Sequence, residues 1–331
     1  MLFRKLSFQL PFTRYPYAGK KICCPLCGIE STKPVSHLDR RLKWLPTCAC
    51  SSCGLLYTNP MPTEQELNDY YSRHYRLDYQ AASTGPSPRH LARRTVEAEA
   101  RAANLEGLIR PGARTLDIGC GSGEFVTSMT GRGMESHGIE PGSTYGEYAR
   151  RLHGDRICVD SWQHTNLEGP FDLVSCFHVL EHLSDPLQAL RQFARLTDPH
   201  GLVYIEVPNM GALSPNKGIG GFHFAHVVGF NHHSLLFAAA LCGLRPRRMI
   251  SPTGIIFEHG EIGNAEHHRE QSRNLTAKLY SNYRPVWNYV RYQVSKLFGA
   301  KRPAQEWVPT EGGSGALGSA QNPAALQPGD R

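Results

Sequence analysis

No stretch of about 18 or more consecutive apolar residues occurs in the 331-residue chain, which excludes a membrane-spanning helix. The segment Met1 to Tyr17 is basic, is interrupted by Pro11 and Pro16, and lacks the apolar core of a secretory signal, so the chain is expected in the cytoplasm. A surplus of positive charge is missing from most of the length. The formal net charge of +7 is contained in residues 1–45, where nine Lys and Arg face only Glu30 and Asp39, and the remainder balances at 27 basic and 27 acidic side chains. Binding along a nucleic acid needs a basic surplus to neutralise phosphates, so the main body is not expected to bind one. No P-loop Gly-Lys-Ser/Thr occurs either.

Cysteine is present in quantity and unevenly placed. Six of the ten lie between Cys23 and Cys53, whereas Cys120, Cys158, Cys176 and Cys242 are scattered. Clustering in a cytoplasmic chain points to metal rather than disulfides. Cys24-Pro-Leu-Cys27 and Cys50-Ser-Ser-Cys53 are two C-x-x-C knuckles, enough for the four thiolates of a structural zinc site. Gly28 and Gly54 follow the knuckles and let the backbone turn its N–H groups toward sulfur. Cys23 and Cys48 can each replace a neighbour, so the ligand set of Cys24, Cys27, Cys50 and Cys53 is an expectation.

Composition separates the chain into a basic leader (1–22), read as a flexible arm, a zinc-ribbon-like unit (23–62), a helical lid or linker (63–109), a cofactor-binding domain (110–262), an amphipathic C-terminal helical segment (263–299) and a tail rich in Gly, Ala, Pro and Gln (300–331), expected to be disordered. Thr63 precedes Glu66 at capping-box spacing. From Arg114, short apolar runs alternate with amphipathic segments, which predicts an α/β fold, a doubly wound Rossmann-like parallel sheet with helices on both faces.

Asp117-Ile118-Gly119-Cys120-Gly121-Ser122-Gly123 follows the first of these strands and opens a helix. The dinucleotide fingerprint fails because Glu124 stands where the third glycine belongs, and its carboxylate would repel a pyrophosphate. Glu140, at the end of the next strand, suits the two hydroxyls of a ribose. The expected cofactor is a nucleoside without a diphosphate.

The run Thr115–Gly123 resembles motif I of the class I S-adenosylmethionine-dependent methyltransferases. The resemblance spans about residues 110–260 and implies S-adenosylmethionine as cofactor, held by Asp117, Gly119, Gly121, Gly123 and Glu140, with Asp160 and Ser161 near the adenine and Phe177 at the end of strand four. Cys53-Gly-Leu-Leu-Tyr-Thr-Asn-Pro-Met-Pro-Thr, with Tyr70-Tyr71, resembles bacterial methyltransferases that carry an N-terminal zinc ribbon, a group that includes sugar C-methyltransferases. That likeness implies a small-molecule or glycan-precursor substrate, with Tyr71 or Tyr75 closing over it.

A methyl transfer to a hydroxyl or carbon acid needs a base, and histidine is suited to neutral pH. His182 and His226 are the first candidates and His178 the next; Glu181, between His178 and His182, is expected to hydrogen-bond backbone groups. Ala225 stands where the sugar C-methyltransferases carry glutamate, which favours O- over C-methylation. An RNA or protein methyltransferase using the ribbon for recognition, and a non-catalytic zinc-ribbon interaction protein, are the alternative readings. His267 and His268 fall in a polar linker and are expected to be solvated. Val286, Val290, Val294, Leu297 and Phe298 make one apolar helical stripe, expected to pack on the core or on a second subunit of a homodimer; docking on a membrane surface is the alternative.

Overall fold

A computed structural model describes residues 10–73, 85–163 and 168–297. The chain begins with strands β1 (Thr32–Leu38), β2 (Trp44–Cys50) and β3 (Leu56–Thr58), followed by helices α1 (Glu64–Arg73) and α2 (Pro88–Ala103). The alternating part then runs β4 (Arg114–Ile118), α3 (Glu124–Gly131), β5 (Glu135–Ile139), α4 (Ser143–His153), β6 (Ile157–Cys158), β7 (Phe171–Phe177), α5 (Pro186–Leu196) and β8 (Thr197–Glu206). After it come α6 (Met210–Lys217), β9 (Val228–Gly229), α7 (His232–Ala240), β10 (Leu244–Ser251), β11 (Gly254–His259), α8 (Ala265–Tyr280) and α9 (Pro285–Leu297).

Seven strands form the main sheet in the order β10-β11-β8-β7-β4-β5-β6. β11 is antiparallel to both neighbours, and the pairs joining β8, β7, β4, β5 and β6 are parallel. Leu116, Val174, Val203, Ile205 and Ile255 are fully buried, as expected of apolar runs covered by helices on both faces. The chain leaves β4 toward β5 and β6 and returns to β7 and β8 on the other side. That reversal opens a crevice beyond the carboxyl ends of β4 and β7, the place where such sheets bind ligands.

The second sheet, β1-β2-β3-β9, joins segments that are far apart in sequence. β3 pairs antiparallel with β9, Tyr57 opposite Val228 and Leu56 opposite Gly229, so the cysteine-rich unit takes its last strand from the segment after α6. The leader residues inside the described range are ordered, against the expectation of a flexible arm. Tyr15 is buried, Arg14 bridges to Trp44 and Lys20 to Met61. The backbone N–H groups of Ala18 and Gly19 donate to Glu66 at 2.7 and 3.2 Å, and the same carboxylate closes the expected capping box with Thr63.

The C-terminal part departs from its pattern in two places. The supposed linker around His267 and His268 is the helix α8, with Asn264 accepting from the His267 N–H as its cap. His268 is half-buried, its Nδ1 3.3 Å from that of His233 on α7. On α9 the stripe Val286, Val290 and Val294 faces outward, each 44–45 % exposed. Tyr289 is the packing residue instead: its ring lies against Gly220 and its hydroxyl donates to the Arg40 carbonyl at 3.1 Å. A phenol that reaches a carbonyl while filling space beside glycine outweighs the smaller valines. Phe298 and the tail from 300 lie outside the described residues. Among those described, no helix is long and apolar enough to cross a membrane.

Candidate active site

The loop between β4 and α3 uses three glycines for three different reasons. A Cβ on Gly119 would come within 2.3 Å of Val179, so this position is closed by packing. A Cβ on Gly123 would sit 3.2–3.3 Å from His153 and Ala149, which is the close approach of α3 to α4. Gly121, at φ +58°, has nothing within 4 Å of the Cβ position. It is therefore the glycine whose open side can receive a ligand.

Glu140, just past β5, holds this loop from the other side. Its carboxylate accepts from the Gly121 N–H at 3.0 Å and from the Gly142 N–H at 2.7 Å. Burial raises its proton affinity, and the two N–H donors only partly reverse that. Asp117, at the end of β4, accepts from the Ser175 hydroxyl at 2.7 Å, and burial pushes its carboxyl up to about 7. Asp160 and Ser161 follow β6; Asp160 is exposed and accepts from the Ser161 N–H at 2.6 Å. Phe177 is held in the core, edge-on to Phe125 and Tyr204 and 4.3 Å beneath the Arg101 guanidinium.

On the neighbouring strand the histidines converge on one buried carboxylate. Glu181 is 2 % exposed, and among the described residues neither of its oxygens has a hydrogen-bond partner, so the backbone bonds expected for it are not found there. Its Oε1 lies 3.7 Å from His178 Nδ1, 3.8 Å from His182 Nε2 and 4.0 Å from His226 Nε2. His182 Nδ1 is 2.8 Å from the Ala225 carbonyl. A carbonyl only accepts, so Nδ1 carries the hydrogen. The rings of His182 and His226 stand 4.8 Å apart at 82°.

Charge alternates along this edge. Arg101 on α2 grips Glu206, the last residue of β8, with Nε and Nη2 at 3.0 Å each, and His178 Nε2 is 3.0 Å from the same carboxylate. Burial opposes ionisation of Glu206, but His178 and Arg101 hold it down to about 2. Burial likewise opposes a charge on His178, yet Glu181 and Glu206 outweigh it and carry the ring up to about 9. His178, expected as a third base candidate, is thus an imidazolium at neutral pH. His226 is different: burial pushes it down to about 3 and leaves it neutral.

The segment His223-Phe224-Ala225-His226 is anchored by aromatics. Phe224 stacks on Tyr15 at 4.4 Å and meets Tyr70 at 4.7 Å and Tyr17 at 5.0 Å. Tyr71 belongs to α1, and Tyr75 lies outside the described residues.

A family model described as a methyltransferase domain matches residues 89–244. Over these residues the chain carries a methyltransferase domain. Over 106 residues it is 37 % identical to the ubiquinone biosynthesis O-methyltransferase of Pseudomonas aeruginosa strain LESB58, an alignment covering 30 % of this chain and 45 % of that one. The chain therefore spans about half the length of the curated relatives it matches. Among solved structures, the mitomycin 7-O-methyltransferase MmcR is 18 % identical with a TM-score of 0.45, over 59 % of this chain and 60 % of that one. The magnesium protoporphyrin IX methyltransferase of Synechocystis PCC 6803, solved with bound SAH, is 17 % identical with a TM-score of 0.43, over 60 % and 100 %.

The cysteine cluster lies outside the matched methyltransferase domain. Cys24 and Cys53 have their sulfurs 3.4 Å apart, as do Cys27 and Cys50, and all four fall within 4.8 Å of one another. Four thiolates around zinc at about 2.3 Å stand roughly 3.8 Å apart, so the donor set fits a tetrahedral ion. The N–H groups of Ser52 and Cys53 point at Cys50 Sγ from 3.4 and 3.5 Å. Cys48 faces away, donating to the Tyr57 carbonyl, and Cys23 is exposed.

Sequence reasoning missed Arg101 and Glu206 of the methyltransferase domain, since each reads as an ordinary surface charge on its own element. Within the expected helical lid or linker, it did not single out His90 on α2, which packs edge-on against Tyr145, or Arg94, whose charge acts on Asp117 and Glu140.

Proposed function

We propose that the protein is an S-adenosylmethionine-dependent methyltransferase acting on a hydroxyl of a small molecule, sugar or glycan precursor. One observation carries the reading: the glycine loop and the histidine cluster stand at the carboxyl ends of β4 and β7, which are hydrogen-bonded neighbours with Ile118 opposite Cys176. Adjacent strands lie about 4.8 Å apart, so a cofactor at one and an acceptor at the other are within reach.

When bound, S-adenosylmethionine supplies an electrophilic methyl group. Glu140 suits its ribose hydroxyls, Gly121 offers open backbone, and Asp160 and Ser161 stand beyond β6 for the base. His182 takes the proton of the acceptor hydroxyl through Nε2, with the neutral His226 ring beside it, and the Glu181 carboxylate stabilises the imidazolium that results. The alanine at 225 supports oxygen as the acceptor atom, and so does the O-methyltransferase among the relatives. We further read the cysteine cluster as a structural zinc site.

The test is incubation of the full chain with methyl-deuterated S-adenosylmethionine and extracts of metabolites and glycan precursors, read by mass spectrometry. Label on an oxygen of a small molecule or glycan is expected. Label confined to carbon, RNA or protein would reject the reading.

A further inference from the structure

The cysteine centre and the acceptor histidine His226 lie on one continuous stretch of hydrogen-bonded backbone. Cys50 ends β2 and Cys53 closes the second knuckle, with the Cys50 N–H donating to the Leu55 carbonyl at 2.9 Å and the Gly54 N–H to the Cys50 carbonyl at 3.0 Å. Three residues past Cys53 the chain enters β3. That strand has three residues, paired to β2 on one side and β9 on the other. β9 has two residues, sits at the edge of its sheet, and has β3 as its sheet neighbour. The Thr58 N–H donates to the Val227 carbonyl at 2.9 Å, immediately after His226.

Strands this short do not hold their own register; their neighbours must supply it. On the knuckle side the supply is the thiolate cluster together with α8. A Cβ on Gly54 would fall 2.4 Å from the Ser272 carbonyl oxygen, and the Thr276 hydroxyl donates to the Gly54 carbonyl at 2.8 Å. The second knuckle is thus clamped between the cysteine centre and α8. The cofactor loop, by contrast, is braced by Val179, Ala149, His153 and Glu140, none of them in the ribbon.

We propose that zinc in the Cys24, Cys27, Cys50 and Cys53 site positions His226 through β3 and β9, so that metal occupancy governs the acceptor side of the crevice and leaves the cofactor side intact. β3 is then a positioning strand, and Thr58 a positioning residue whose N–H holds the backbone next to His226. The inference rests on the zinc reading of the cysteine cluster and on His226 belonging to the acceptor side. Its observable, the order of the 223–230 backbone, does not depend on the acceptor being known.

The experiment is hydrogen exchange on the full chain, zinc-loaded and after zinc removal by a chelator under reducing conditions, with calorimetry of S-adenosylhomocysteine binding on both samples. Zinc removal is expected to speed exchange in residues 223–230 by about tenfold or more while the affinity for S-adenosylhomocysteine stays within about threefold, and added zinc should restore protection. A second variant, Thr58→Pro, deletes the N–H to Val227 without touching a cysteine. It should retain one zinc per chain by elemental analysis and show the same faster exchange. Unchanged protection on zinc removal would overturn the proposal. So would loss of S-adenosylhomocysteine binding together with protection, since that is general unfolding, and so would a purified chain without zinc. Failure of the zinc-loaded chain to bind S-adenosylhomocysteine would instead strike the methyltransferase reading, and the two failures are separable.

Discussion

The proposed cofactor side of the crevice is one uninterrupted stretch of strand, glycine loop, helix and strand, in which Asp117, Gly121 and Glu140 are brought together by local geometry. The acceptor side is assembled from pieces. Glu181 and His182 come from the turn after β7, His226 from the segment before β9, Glu206 from the end of β8, Arg101 from α2, and the aromatic support of Phe224 from Tyr15, Tyr17 and Tyr70. A site made locally needs only its own segment to fold. A site made from distant segments is only as well placed as the packing that carries them, and changes far away reach it.

Gly121→Arg should break the cofactor side outright. A side chain on the open face at φ +58° fills the ligand's space and strains the backbone, so affinity for S-adenosylhomocysteine should fall by about 1000-fold, roughly 4 kcal/mol, in calorimetry. Exchange protection of Val228 and Gly229 should be untouched; a coupled loss there would show that the two sides are not independent. Replacing His182 or His226 by alanine is the converse probe. Turnover of the acceptor found by methyl labelling should drop by about 10²–10⁴ with S-adenosylhomocysteine affinity within about twofold. Full activity in both variants would remove proton transfer from the acceptor side.

Glu181→Gln sharpens the comparison within the acceptor side. It removes one of the two carboxylates that hold His178 as a cation, so the imidazole titration of His178 by NMR should move down from about 9 by roughly one unit or more. An unmoved midpoint would mean that Glu206 alone sustains the charge.

The smallest effect is that the two sides respond to pH over different intervals. His178 is raised from 6.5 to about 9, so its contribution is complete below 6.5 and lost as pH rises through 9. Glu206 is lowered from 4.5 to about 2, so its contribution is present above 4.5 and lost as pH falls through 2. Their pair should stabilise most between those limits, by about 1 kcal/mol after solvent screening. Asp117 on the cofactor side is raised from 3.8 to about 7, so its burial costs stability progressively as pH rises over that interval. Urea unfolding against pH, with Asp117→Asn removing the second slope, separates the two; a slope unchanged by Asp117→Asn would refute the assignment.

Elements that rest on neighbours in sequence were readable in advance. The alternation that begins at Arg114 is legible because a period of two or a short apolar run between turn residues is a local property. The glycine loop was readable for the same reason, though the separate duty of each glycine was not, since Val179 and His153 enter from elsewhere. β3 and β9, with three and two residues, are too short to announce themselves as strands. The stripe on α9 does not pack on the core of its own chain, because hydropathy marks which side of a helix is apolar and does not say which residue finds a partner.

By itself the sequence determined the alternation of strands and helices in the methyltransferase domain, the position of the glycine loop and the presence of a cysteine cluster, because each depends on spacing along a continuous chain. Only the tertiary structure decided that His178 is a cation, that Glu181 is a buried carboxylate among three imidazoles, and that the ribbon reaches His226 through β9. Those properties arise from burial and from charges brought together by folding, and a pattern of residue types contains neither the distance between two segments nor the solvent lost when they meet.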